Sequence, residues 1–145
     1  MRTGLLLPFL LSLLVSSATA KTQDASLIEG VGLDGRWAQN CNRPASADNP
    51  YLVYSAPDAG QPTERRVAPP EEDRVTELLD IQWLKTRELV WVIAEGEVML
   101  TIVSKLEGNR MRVWSMSTSD GTYFVSKGKG QDGHPTPWIS KCETN

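Results

Sequence analysis

Apolar and polar positions follow different rhythms in successive parts of the chain. Leu5 to Val15 is an apolar run. Further on, short β-branched and aromatic segments alternate with clusters of Gly, Pro, Asn and Asp. Tyr51-Leu52-Val53-Tyr54 is a short strand rich in β-formers, and Leu89-Val90-Trp91-Val92-Ile93, apolar on both faces, predicts a central strand. Val98 to Val103, Met111 to Ser117 and Thr122 to Ser126 continue the series. Turns are predicted at Glu95-Gly96-Glu97, Glu107-Gly108-Asn109 and Ser119-Asp120-Gly121, the last an Asp-Gly hairpin signal. Short strands at this spacing predict an all-β fold, a small antiparallel β-barrel or barrel-like sandwich of about seven to nine strands.

Three segments fit this rhythm less simply. Val75, Leu78 and Leu79 recur with a helical period, whereas Leu79-Asp80-Ile81-Gln82-Trp83 alternates as a strand does, and the segment is assigned to strand. Cys41 to Pro50 is rich in Pro and Asn: Pro44 and Pro50 favour extended residues before them, and Asp48-Asn49 favours a turn. Residues 21–34 are polar and small without a steady period, which predicts a flexible leader ahead of a single β domain over residues 35–145. Gly35-Arg36-Trp37-Ala38 opens that domain, and Trp138 to Cys142 would be its last strand.

The N-terminus changes the picture by giving the chain an address. Arg2, the apolar run and an A-x-A pattern ending at Ala20 predict a secretory signal peptide over residues 1–20. The run is shorter than the roughly 20 apolar residues a membrane-spanning helix needs. Lys21, rather than Cys, follows the cleavage point, so no lipid-modified N-terminus is expected. The expected location is periplasmic or secreted, with no stable membrane anchor. In an oxidising compartment the two cysteines, Cys41 and Cys142, predict a disulfide that makes the first and last strands neighbours.

Charge and candidate chemistry mostly exclude. With 15 Lys and Arg against 18 Asp and Glu and no basic cluster, the chain lacks the footprint of nucleic-acid binding. Two cysteines and His134 without ligand spacing give no metal site. His134, the single histidine, lies in a Pro-flanked loop, and no serine or cysteine has a nucleophile context, so no catalytic residue and no cofactor are assigned. Glu95 and Glu97 flank a turn and are expected to face water. The five tryptophans, Trp37, Trp83, Trp91, Trp114 and Trp138, either fill the core or line a ligand cavity with the tyrosines. Arg112 and Trp114 share one face of a strand and are either a recognition pair or a buried ring under a snorkelling cation. Trp91, Arg112, Trp114 and Tyr123 are the candidate residues for binding a ligand or partner.

Three stretches carry resemblances. Gly35-Arg36-Trp37 resembles the G-x-W that opens lipocalin-type barrels. Ser117 to Tyr123 is similar to the serine- and glycine-rich loop of periplasmic C-type lysozyme inhibitors. The whole arrangement of G-x-W, Cys41-Asn42-Arg43-Pro44, Asn49-Pro50-Tyr51, Pro135-Thr136-Pro137-Trp138 and the terminal Cys142 resembles small exported bacterial proteins of no established function. Such a resemblance implies a bacterial envelope location. The expected function is a non-enzymatic binding module for a small apolar ligand or a protein partner. The alternatives are an envelope enzyme or periplasmic enzyme inhibitor, or a structural envelope component.

Overall fold

The computed structural model describes residues 22–143, so the signal peptide expected over residues 1–20 lies outside the described residues. Segments that alternate between apolar and polar positions become strands of one antiparallel sheet. They are β1 (Gly35–Ala38), β2 (Tyr51–Ser55), β3 (Thr63–Val67), β4 (Arg74–Glu77), β5 (Leu79–Leu84), β6 (Glu88–Glu95), β7 (Val98–Glu107), β8 (Arg110–Thr118), β9 (Tyr123–Ser126), β10 (Lys129–Gly130) and β11 (Ile139–Lys141). Pairing runs β4-β3-β2-β1-β11-β8-β7-β6-β5, with β9 on β8 and β10 on β9. The predicted meander is present from β6 to β9. Its turn glycines Gly96, Gly108 and Gly121 have φ of 63°, 62° and 89°, a region that favours a residue without Cβ.

The all-β class holds, with eleven strands among the described residues rather than about seven to nine. One additional strand is β3, whose charged sequence Thr63-Glu64-Arg65-Arg66-Val67 hides its pairing with β2 and β4. Another comes from the segment of mixed period, which is extended but divides at Leu78. There the Leu78 N–H donates to the Pro62 carbonyl at 2.8 Å, one position beyond the last β3–β4 pair, while the Leu78 side chain is fully buried. The half before it pairs with β3 and the half after it with β6. The two ends of the pairing path are therefore consecutive in the chain, joined through Leu78, and no ladder closes β4 onto β5.

The segment expected to be a flexible leader instead contains a helix, α1 (Gln23–Gly30). The Thr22 hydroxyl caps it by accepting from the Ala25 N–H at 3.2 Å, and Asp24 in its first turn suits the positive end of the helix dipole. Ala25 and Ile28, three apart on one face, are fully buried against β5, and Leu33 joins them. Three apolar residues, Ala25, Leu27 and Ile28, are too few to give a period in a sequence of eight, and the sheet supplies the burial that the helix alone lacks.

The predicted disulfide is formed: Cys41 and Cys142 are joined at 2.04 Å with their Cα atoms 5.3 Å apart. Beside it β1 and β11 pair, Trp37 with Lys141 and Ala38 with Ser140. The core is the inner face of the sheet, where Trp37, Trp91, Leu89, Ile102, Leu106 and Met111 are buried. The Trp37 Nε1–H is satisfied by the Leu33 carbonyl at 2.7 Å.

Candidate functional site

The inner face is not filled throughout. A cavity of about 440 Å³ lies between the two halves of the sheet, within the range of roughly 300–1,000 Å³ typical of small-molecule sites. Strand alternation selects its wall. β6 contributes Trp91 and Ile93, β7 contributes Leu100 and Ile102, and β8 contributes Met111 and Met116. A shift of register between Val103 and Ser104 lets one extra β8 residue in, so that Val113 and Met116 both line the cavity although three positions apart.

Its other wall is chemically different. Tyr54 pairs with Glu64 across β2 and β3, and Leu52 with Arg66, so Glu64 and Arg66 are the two inward positions of β3. Arg66 pairs in turn with Arg74 of β4. All of these residues line the cavity, together with Glu95 at the end of β6. The buried Tyr54 hydroxyl donates to the Glu64 carboxylate. Burial holds the Glu64 carboxyl above its ordinary value, against the hydrogen bond from Tyr54 and the attraction of Arg74 and Arg66. Burial likewise raises the Tyr54 hydroxyl well above its usual value, with the Glu64 charge adding to the effect. Arg74 pairs with Glu95 at 3.2 Å. Both are solvent-accessible, so the pair fixes geometry more than it adds stability. The result is a cavity with an aliphatic and aromatic body and a band of two carboxylates and two guanidinium groups on one side.

The candidate binding residues of the sequence are not brought together. Trp91 is in the cavity wall, 2% exposed, and meets Tyr54 edge to face with ring centroids 6.2 Å apart. Its Nε1–H has no acceptor among the described residues. Arg112 borders the cavity, but its guanidinium lies between the Trp114 and Trp138 rings, 5.2 and 4.9 Å from their centroids. Lys105 stacks on Trp114 at 3.4 Å and Arg110 on Trp138 at 4.8 Å, forming an alternating ladder of cations and aromatic rings. A strap from the following loop covers part of this ladder. The Gly128 N–H donates to the Trp114 carbonyl at 2.8 Å, and a Cβ at Gly128 would sit 3.0 Å from the Trp114 ring. Tyr123 stands apart on β9, 55% exposed.

The remaining candidates are placed as follows. His134 is exposed in the loop after β10, with its N–H on the Asp132 carboxylate at 2.9 Å. Glu97 is exposed in its turn, whereas Glu95 faces the cavity. Among the described residues no group of three His, Cys, Asp or Glu side chains is placed to hold a metal ion. Glu64, Arg66 and Arg74 were not among the sequence candidates. The signal that marks Glu64 and Arg66 is the segment Thr63 to Val67, set between Pro62 and Pro69, whose ends are β-branched and which carries these two charges at positions of one parity. No known family model, curated protein or solved structure matches this chain.

Proposed function

We propose that this protein is an exported, non-enzymatic binding module that holds a small apolar ligand inside its sheet. The observation that carries this reading is the cavity of about 440 Å³ lined by Trp91, Ile93, Leu100, Ile102 and Met116. A sheet of this size normally packs its interior with side chains, and a wide apolar space in it costs dispersion contacts that a ligand restores. The strand path, which returns to its starting point through Leu78, supports a barrel-like enclosure around that space. The Cys41–Cys142 disulfide is compatible with an oxidising compartment and so with export to the bacterial periplasm or beyond.

The test is a titration of the purified chain with alkanoates, alkanols and aromatic hydrocarbons, followed by tryptophan emission and by thermal unfolding. A ligand of this cavity gives a saturable emission change that the Trp91→Phe variant loses. It also stabilises the fold by about 2.7 kcal/mol when present at one hundred times its Kd. Absence of saturable binding across the panel overturns the proposal. Inhibition of lysozyme by a chain that binds no lipophile would transfer the assignment to an enzyme inhibitor.

A further inference from the structure

We infer that the ligand is a lipophilic monocarboxylate whose head group is held by Arg66, an inference that rests on the binding function proposed above. The cavity is lined by five charged groups, and four of them are already engaged, Arg112 by the Trp114 and Trp138 rings that flank its guanidinium. Glu64 accepts the Tyr54 hydroxyl, and Arg74 and Glu95 pair with each other at 3.2 Å. Arg66 forms no ion pair with any carboxylate among the described residues, although it feels the field of Glu64. It is half-buried and lines the cavity. A planar guanidinium in that position presents a fork of donors that matches the two oxygens of a carboxylate.

A second observation points to the same polarity of ligand. The Trp91 Nε1–H is buried in the cavity wall without an acceptor, and an indole nitrogen only donates. The unmet polar groups of this cavity are thus donors, and the complementary molecule carries acceptors. A cationic head would meet Arg66 and Arg74 and find both cavity carboxylates occupied. A head of higher negative charge would meet Glu64 and Glu95 inside and the exposed Glu71 and Glu72, which share a shallow depression with Arg66 and Arg74. One negative charge is therefore the best match. The volume, near the small end of the usual range, suits one alkyl chain or a small ring system in contact with Ile93, Leu100, Ile102 and Met116.

The experiment compares three molecules that share a chain and differ in the head: decanoate, decanol and decylammonium. Isothermal titration of the delipidated, disulfide-intact protein is expected to rank them in that order, with decanoate about tenfold tighter than decanol. Arg66→Gln brings decanoate to the level of decanol, and Arg66→Lys keeps part of the preference. Circular dichroism of both variants confirms that they fold, and the lysine variant carries the test if the glutamine variant does not. Decanol or decylammonium binding as tightly as decanoate overturns the inference while leaving the binding function standing. So does a preference for decanoate that survives the loss of the Arg66 charge. Failure of all three to bind overturns the binding function and this inference together.

Discussion

At one end of the sheet's interior, Ile28 of α1, Leu33, Leu78, Ile81 and Leu89 pack into a solid apolar block. At the other, Leu52 lies in register with Arg66 and Arg66 with Arg74, and Glu95 closes the row beside an open cavity. β6 runs from the first region to the second, its inward positions reading Leu89, Trp91, Ile93 and Glu95. Alternation is maintained along the whole strand, so the backbone plan of the two ends is the same. What differs is the plug. α1 fills one end, and beside the charged band the other end stays open as a cavity. The packed block and the cavity are therefore divided along single strands rather than between domains.

The seam between β1 and β11 belongs to both ends, and the disulfide beside it sets the largest effect. Cys41 and Cys142 are 101 residues apart, and closing a loop of that length is worth about 4–5 kcal/mol in the chain-entropy model. Replacing both cysteines with alanine should lower unfolding stability by that order in urea titrations, and both regions should melt together. Separate transitions for the two ends would mean that they are independent units.

The next effect separates the ends. Leu33→Ala removes a fully buried side chain from the packed block and should cost about 2–5 kcal/mol. Leu100→Ala removes a half-buried side chain from a cavity wall, where few contacts remain to be lost, and should cost about 1 kcal/mol or less. The two variants are compared by urea midpoint at constant m-value. Equal losses would show that the cavity end is packed as tightly as the plugged one, and the comparison would collapse.

The sequence makes one of these regions more legible than the other. The meander from β6 to β9 follows from turn glycines and alternating apolar residues, because both signals are local. The β1–β11 seam follows from the spacing of Cys41 and Cys142. α1 is illegible because Ala25 and Ile28 become apolar-facing only once β5 is beside them. The charged band is illegible for a related reason. Glu64 and Arg66 occupy inward positions that a pattern search reserves for apolar residues, so the sequence pattern assigns no strand over Thr63–Val67. Trp91 was legible as a candidate, while Arg112 and Trp114 owe their stacking to Lys105 and Trp138, which are brought in by β7 and by the segment before β11. Propensity locates strands well here, but which face carries a cavity depends on pairing between distant segments.

The smallest effect tests whether the charged band is truly withdrawn from water. The folded protein holds the Glu64 carboxyl above its ordinary value of 4.5, burial being the leading cause. A carboxyl that binds its proton more tightly when folded adds stability below its unfolded pKa and loses it as pH rises through the folded one. Wild-type stability should therefore fall relative to Glu64→Gln as pH rises above 4.5, and the difference should level off once the folded carboxyl has ionised. Glutamine keeps an acceptor for the Tyr54 hydroxyl, so the variant isolates the charge. The readout is the gap in urea midpoint between the two proteins at a series of pH values, and the expected gap widens in favour of the variant. A gap independent of pH would place Glu64 in water, and the open end would then be ordinary surface instead of the wall of a site.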